Sequence, residues 1–407
     1  MAGNTLLTID TIAKEALRLA HEKAAFIGTV NRQFDSSWSS DGPSGDTLRI
    51  RIPSQYTRRT GSRVMDVQDS VQLSTSLVRA TQDGVDMRFN SRELALDLDK
   101  FSELHLAPAM ATMISGIESD MLAAMTKAVW NVAGTAGTAL ADLAATGTAR
   151  ALLNRGLAPK DGNRFIQMDS ITMGSLVNNL KGLFQDSTQI KEQYREGLVG
   201  RTGMADFYEN ERVWTMANAS SAAITSGTLN GPTLANGIAT VTTATAPSNL
   251  SPGMVFTVAG IFACHPETKA LYNSLQQFTV VTSATASTVQ ISPTIYINGA
   301  QQNVCDSKGA QLTSTSNVTS GALTFVGAAS TSYVQGLMYH RDAFTFATAE
   351  LPLMQRSEKC VRKTFDGISL RVWQDSDIRN DELLTRIDIL YGFAAIRPQW
   401  ACRIIGN

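Results

Sequence analysis

The chain has few of the residues that build metal and disulfide sites, with four cysteines and four histidines among 407 residues. No two cysteines stand in a C-x-x-C spacing, and Cys264-His265 is the only Cys/His neighbour pair. A structural zinc site needs about four convergent ligands, so this pair predicts no metal centre. The spacing instead indicates four free thiols in a reducing compartment.

An excess of one charge and a long apolar run are also missing. Lysine and arginine total 35, and aspartate and glutamate total 36, which leaves a formal net charge of -1. A dedicated nucleic-acid-binding protein would show a basic excess. The chain has no run of about 18 apolar residues, and residues 1–20 lack the basic start and apolar run of a signal peptide. We therefore expect no membrane span and a protein that folds in the cytoplasm.

Enzyme motifs are lacking as well, because the sequence contains no Walker loop, G-x-G-x-x-G, G-x-S-x-G or H-E-x-x-H. One acidic cluster remains, made of Asp375, Asp377, Asp381 and Glu382. Arg379 and Asn380 stand where a calcium loop needs an oxygen ligand and a glycine. We predict a solvated loop between strands. A hydrolase that uses Asp375 and Asp377 with His340 stays as an alternative.

The spacing of apolar residues predicts several helices. Leu6 to Phe26 has helical spacing, and Met110 to Val129 carries one long apolar stripe at spacing three to four. Methionine fills irregular cores, so the stripe is expected to face a core and not a ligand groove. Shorter helices are predicted from Thr148 to Leu157 and from Ser170 to Phe184, the latter with Ile171 among its apolar positions.

Alternating apolar and polar residues predict an exposed β-hairpin near the N-terminus. Thr47–Pro53 and Ser70–Arg79 have the pattern of strands, and a charged segment separates them. The candidate contact residues of this segment are Arg58, Arg59, Arg63, Asp66 and Asp69. The planar fork of arginine is suited to pairing with carboxylates of a neighbouring subunit. A solvated hairpin tip fits the same pattern, since exposed ion pairs contribute little to stability.

The middle of the chain has a different composition. From Ala219 to Thr331, Ser, Thr, Ala, Gly and Val dominate, and β-prone runs such as Ile238–Thr243 and Met254–Ala259 alternate with turns such as Asn236-Gly237. This spacing predicts a small β-barrel or sandwich. Because mixed α/β patterns resume on either side, we interpret the segment as an inserted domain in an α+β protein.

Three segments resemble a known family. They are Glu196–Asn210 (EGLVGRTGMADFYEN), His340–Leu353 (HRDAFTFATAELPL) and Arg386–Pro398 (RIDILYGFAAIRP). Each is similar to a segment of the coat protein of phage P-22 and its relatives, which have the HK-97 fold. In that family the first closes a strand pair of the apical domain, the second follows the insertion, and the third is the C-terminal strand. Their order, with a β-rich insertion between the first two, extends the resemblance over nearly the whole chain.

The resemblance implies an α+β, HK-97-like capsid fold with an inserted all-β domain. It divides the chain into an N-terminal arm (1–33), an extended β-hairpin loop with peripheral-domain strands (34–90), a spine helix with the peripheral domain (91–160), the first part of the apical domain (161–218), an inserted β-barrel-like domain (219–331), and the apical return with C-terminal peripheral strands (332–407). The extended loop is expected to lie over an adjacent subunit, and the arm is expected to meet a scaffolding protein.

The implied function is that of a tailed-phage major capsid protein, not an enzyme and without a cofactor. Hexamers and pentamers would form an icosahedral shell around double-stranded DNA, through a scaffolded procapsid that expands on packaging. Expected partners are further copies of the chain, a scaffolding protein, a portal protein and the DNA, touched non-specifically at the inner face. The expected location is the virion, after assembly in the bacterial cytoplasm.

Two further alternatives remain beside the hydrolase. A cellular nanocompartment shell would share the fold, but the inserted domain argues against it. A β-rich adhesin or tail protein is suggested by the Ser/Thr-rich middle alone, and the long helix argues against that class.

Overall fold

The fold is seen in a computed structural model. It describes residues 9–33, 47–62, 65, 67–69, 72–79, 81–90, 105–140, 143–179, 201–202, 204–219, 236–242, 250–282, 288–312, 321–354, 359–365, 367–377, 379–380 and 382–406. The chain forms two compact units. The first comprises residues 1–50, 75–121 and 344–396, and the second comprises residues 51–74, 122–343 and 397–407.

The described residues contain four α-helices and twenty strands. The helices are α1 (Ile9–Lys23), α2 (Ala107–Ala128), α3 (Ala144–Arg155) and α4 (Ser170–Asn179). The strands are β1 (Thr47–Arg51), β2 (Ser74–Val78), β3 (Thr81–Asn90), β4 (Val132–Gly134), β5 (Arg164–Met168), β6 (Arg201–Thr202), β7 (Ala205–Glu209), β8 (Thr215–Ala217), β9 (Ile238–Thr242), β10 (Val255–Cys264), β11 (Leu271–Val280), β12 (Thr288–Ile295), β13 (Val304–Cys305), β14 (Leu323–Phe325), β15 (Ser332–His340), β16 (Phe344–Ala349), β17 (Lys359–Phe365), β18 (Ile368–Asp377), β19 (Glu382–Ala395) and β20 (Ala401–Ile405). Within this part of the chain, every helix is too short or too polar to cross a membrane.

The first unit is built on a five-stranded antiparallel sheet. Its strand order is β16-β19-β18-β17, and β3 pairs with β19 over ten residue pairs. Ile387, Ile389 and Tyr391 are buried on one face of β19, as the two-residue period of a strand requires, and Asp388 is buried on the other face. The apolar stripe of α1 packs against β17 and β18, so the N-terminal helix covers one part of this sheet.

A buried carboxylate ties the segment after α1 to the long helix. Glu118 of α2 is fully buried, and its Oε1 accepts hydrogen bonds from the backbone N–H groups of Phe26 (2.6 Å) and Ile27 (3.1 Å). Further along, Asn31 donates its N–H to Phe344 O at 3.2 Å and accepts from Phe346 N–H at 3.0 Å. These contacts make residues 26–31 part of the core of the first unit.

The second unit contains two sheets. Seven strands form one of them in the order β4-β20-β15-β5-β7-β6, with β8 paired to β15. The pair β6–β7 lies in the Glu196–Asn210 segment and matches Arg201 with Asp206 around a turn at Met204. Helix α3 packs on β20 and β4 of this sheet.

The inserted segment forms the other sheet of the second unit. Its strand order is β13-β10-β11-β12-β9, with β14 paired to β10, and neighbouring strands are antiparallel. Apolar side chains from its strands make one continuous core that includes Phe256, Phe278, Val289 and Phe325. The alternation of β-prone runs and turns predicted a small β-barrel or sandwich, and the described strands form one sheet with its own core.

The predicted helix stripe is confirmed, and one predicted core position is wrong. All eight stripe residues from Met110 to Val129 are buried. Ile171, in contrast, leaves 71% of its surface exposed near the start of α4. The predicted helix positions after Asn179 and the spine-helix positions before residue 105 lie outside the described residues.

Several strands and one helix start were missed by the sequence pattern, and β3, β17 and β20 are the clearest of these strands. Strand β17 is half-exposed and rich in polar residues, so it lacks the apolar alternation that marks a strand. In β3, Val85, Met87 and Phe89 do alternate with polar residues, a signal that the prediction did not use. Strand β20 is short and follows Pro398 and Trp400 directly. Helix α3 begins at Ala144, four residues before the predicted start, where Ala, Thr and Gly carry no apolar period.

Candidate assembly surface

The predicted hairpin forms, and its base is anchored by one buried residue on each strand. Strands β1 and β2 pair in a two-stranded sheet. Ile50 and Leu77 are buried and pack with Ala347, Ala394 and Ile396 of the first unit. The other positions of both strands are exposed or half-exposed. The hairpin is therefore fixed at its base and presents most of its surface to solvent.

Beyond the base, a side-chain amide holds the two arms of the hairpin together. Ile52 donates its N–H to Leu73 O at 2.8 Å, which continues the strand pairing. Gln68 then bridges the arms, since its Oε1 accepts from Thr57 N–H and its Nε2 donates to Thr57 O, both at 2.8 Å. A glutamine that satisfies both backbone groups of one residue replaces a strand-pairing rung. The bridge gives residues 57 and 68 a defined spacing.

The charged candidate residues sit beside this bridge. Arg58 and Arg59 follow Thr57 directly, Asp69 follows Gln68, and all three are exposed. Arg63 and Asp66 lie outside the described residues, so the structure leaves their role a prediction.

Apolar side chains are exposed on the same segment. Tyr56 is 59% exposed, and Met65 and Val67 are each 79% exposed. Exposed apolar residues next to polar ones mark interaction surfaces, and protein interfaces have an apolar centre with a polar rim. Residues 54–73, here called the hairpin tip, thus combine both components on one short segment.

The acidic cluster is the end of a β-hairpin, not a separate loop. Asp375 and Asp377 belong to β18, Glu382 begins β19, and Asp377 pairs with Glu382 across the strands. Asp377 Oδ1 accepts from Arg379 N–H at 2.9 Å, and its Oδ2 accepts from Asn380 Nδ2 at 2.8 Å. Asp377 therefore stabilises the turn. Asp381 lies outside the described residues.

His340, the histidine of the hydrolase alternative, forms hydrogen bonds with other residues of the second unit. His340 is 1% exposed, its Nδ1 accepts from Asp342 N–H at 3.2 Å, and its Nε2 therefore donates to Asp161 Oδ1 at 3.0 Å. Burial raises the pKa of Asp161, but hydrogen bonds from Asn163 and His340 outweigh this and lower it to about 2. Both ring nitrogens are occupied by structural hydrogen bonds. In the described part of the chain, no three His, Cys, Asp or Glu residues converge as metal ligands.

Sequence reasoning missed a set of buried charges. In the first unit, Arg371 and Asp388 are 4% and 0% exposed and form a 2.5 Å ion pair. Asp388 also accepts from Arg386 Nε at 2.7 Å, and Arg371 donates to Pro352 O at 3.0 Å. The available signal was a charged residue between apolar neighbours, as Arg371 is in SLRVW and Asp388 is in IDIL. Such a charge is almost never buried without a partner.

Comparison with protein families settles what the three resembling segments indicate. Residues 82–406 match the family model described as P22 coat protein, gene protein 5. The chain belongs to the P22 coat protein family. The match includes β3, the long helix, the inserted sheet and every strand through β20. Coat proteins are structural proteins of the phage capsid, so the predicted class of capsid protein and its HK-97-like α+β fold are confirmed.

Several solved structures are similar to this chain. Mycobacterium phage Che8 is 9% identical with a TM-score of 0.47, covering 94% of this chain and 90% of that one. The capsid of Ralstonia phage GP4 is 8% identical with a TM-score of 0.43, covering 89% and 84%. A virus-like particle from Pyrococcus furiosus is 6% identical with a TM-score of 0.41, covering 97% and 98%. No curated protein matches the chain. The assignment rests on the family match.

Proposed function

We propose that this coat protein assembles into hexamers and pentamers of an icosahedral shell around double-stranded DNA. Assembly proceeds in the cytoplasm of the bacterial host through a scaffolded procapsid that expands on packaging, with a portal protein in the shell. The six-part division from the N-terminal arm (1–33) to the C-terminal strands (332–407) is part of this proposal. Family membership supports it, and so does the near-neutral charge of the chain, because a wall that encloses DNA has no need to bind it tightly.

The hairpin tip carries the contact between neighbouring copies in this proposal. The supporting observation is that residues 54–73 are fixed at their base and expose Tyr56, Met65 and Val67 beside Arg58 and Arg59. Exposed ion pairs give little stability to a single chain. Repeated around a ring and between rings, weak contacts between identical subunits close into a shell and permit correction of errors.

A charge-reversal experiment tests the role of the tip. We expect Arg58→Glu with Arg59→Glu to leave the unassembled subunit folded, because both side chains are exposed, and to reduce the yield of closed shells made with a scaffolding protein. The control is Arg150→Glu with Lys160→Glu, which reverses two exposed positive charges outside both the hairpin tip and the N-terminal arm. Sucrose-gradient sedimentation and negative-stain microscopy measure the yield. If the tip variant gives the same yield of closed shells as the wild type, these two arginines are excluded from the contact.

A further inference from the structure

Arg403, four residues from the C-terminus, lies buried at the meeting point of several elements of the second unit. It is 0% exposed and belongs to β20, between β4 and β15 of the seven-stranded sheet. Its guanidinium donates four hydrogen bonds to neutral oxygens. The acceptors are Gly253 O (2.5 Å), Lys127 O (3.1 Å), Thr279 Oγ1 (3.1 Å) and Gln335 Oε1 (3.3 Å).

These acceptors come from different parts of the fold. Thr279 belongs to β11 of the inserted sheet, and Gly253 lies two residues before β10. Lys127 is in the last turn of α2, where backbone carbonyls carry the negative end of the helix dipole. Thr279 Oγ1 itself donates to Lys127 O at 3.1 Å. A single cation thus joins the inserted sheet to the C-terminal end of the long helix.

The packing around this cation leaves no room for a side chain at residue 253. Gly253 has a φ of +96°, and a Cβ there would lie 2.8 Å from the Trp214 ring and 2.9 Å from Lys127 Cγ. The Trp214 ring in turn lies 5.1 Å from Lys127 Nζ and 6.0 Å from the Arg403 guanidinium. The first distance is within the range of a cation–π contact, and the second is at its limit of about 6 Å. The aromatic ring between two cations further restricts where the guanidinium can sit.

The boundary between the inserted sheet and the seven-stranded sheet also contains a cavity. The cavity has a volume of about 320 Å³ and is lined among others by Trp130, Leu152, Cys264 and Tyr272. Polar contacts border it, such as the Arg155 Nη1 to Ser274 Oγ bond of 2.9 Å, and Val255 of the inserted sheet packs with Val132, Tyr333 and Ile405 beside them. A cavity reduces the apolar packing that a boundary can gain, so polar contacts contribute to the orientation of the sheet.

We propose that Arg403 is the positioning residue that fixes the inserted sheet on the rest of the second unit, by holding Gly253 and Thr279 against the end of α2. Because Arg403 belongs to β20, the inserted sheet reaches its final orientation only when β20 is in place. The inserted sheet has its own core, so it stays folded without this contact and becomes variable in orientation. A variable orientation is expected to lower the yield of closed shells; this consequence rests on the proposed function, and the positioning itself does not.

One amide reports on this orientation directly. Val132 N–H donates to Gln277 Oε1 of the inserted sheet at 2.8 Å, so its protection from hydrogen exchange depends on docking. In Arg403→Ala, we expect its exchange in the unassembled subunit to accelerate at least about tenfold, since hydrogen bonds of a charged group are lost. Amides in the β10–β11 ladder, such as those near Phe256 and Phe278, keep their protection. The control is Arg341→Ala, which removes an exposed arginine of the same unit.

Chemical rescue separates positioning from simple packing. Free guanidinium at millimolar concentration fits the four oxygens that Arg403→Ala leaves, so we expect it to restore protection at Val132, whereas ammonium and sodium do not. If Arg403→Ala fails to fold, Thr279→Val removes one acceptor and is expected to accelerate the same amide more weakly. Unchanged exchange at Val132 in the folded variant, or acceleration spread evenly over the inserted sheet and insensitive to guanidinium, would overturn the proposal. Wild-type shells from a variant with a loosened boundary would overturn only the consequence for assembly.

Discussion

The buried ion pair of the first unit yields the most quantitative prediction. Asp388 is fully buried and accepts charge-assisted hydrogen bonds from Arg371 (2.5 Å) and Arg386 (2.7 Å). Changing Asp388 to Asn keeps the volume and removes the charge, which leaves Arg371 buried without its counter-ion. Breaking a buried pair from one side costs about 3 to 5 kcal/mol, so we expect Asp388→Asn to lower the free energy of unfolding by that amount.

Arg386, the more exposed partner of Asp388, provides the control for this prediction. Arg386 is 47% exposed, so Arg386→Gln is expected to cost less than about 1 kcal/mol, as exposed pairs do. Urea unfolding of the unassembled subunit measures both variants by circular dichroism and tryptophan fluorescence, to which Trp373 beside Arg371 contributes. Equal losses in the two variants, or a loss below about 1 kcal/mol in Asp388→Asn, would refute the argument that an uncompensated buried charge dominates.

Three further predictions concern other parts of the chain. Gly84→Ala places a Cβ 2.6 Å from Ile387 O, so we expect weaker β3–β19 pairing, measured as faster hydrogen exchange in residues 81–90 and contradicted by unchanged exchange. The pKa of Asp161 is lowered to about 2 from an ordinary 3.8, so its ionised carboxylate stabilises the fold above pH 4, and this stabilisation is lost as the pH falls towards 2. In Asp161→Asn, the melting temperature should therefore depend less on pH over this range. The same pH dependence as in the wild type would contradict the prediction. Cys360 is half-exposed whereas Cys402 is buried with a pKa raised by burial, so a thiol reagent should modify Cys360 first in the native subunit.

The periodic elements could be predicted from the sequence because burial leaves a period in it. The stripe from Met110 to Val129 is buried along its full length, and the β-prone run predicted at Ile238–Thr243 is found as β9. The hairpin at β1 and β2 followed from alternation alone. In each case one face meets a core and the other meets solvent, and apolar spacing records that difference.

Features held by single polar contacts could not be predicted. Nothing in the spacing of Glu118 shows that its carboxylate accepts two backbone N–H groups from residues 26 and 27. The same holds for Arg403, whose acceptors lie between 68 and 276 residues away in sequence. The prediction for Ile171 was wrong for another reason. The apolar period alone does not distinguish a helix position that meets the core from one that stays exposed in a single subunit. For the tip residues Arg63 and Asp66, the contact role remains a prediction.

The most direct test of the account is a cryo-electron microscopy map of the particles that the full chain forms with its scaffolding protein. We expect closed icosahedral shells of pentamers and hexamers, in which the hairpin tip of each subunit, with Arg58, Arg59 and Tyr56, lies against a neighbouring copy. Shells whose hairpin tips project into solvent would contradict the proposed contact. Small discrete oligomers under all conditions of salt and concentration would contradict the proposed assembly itself.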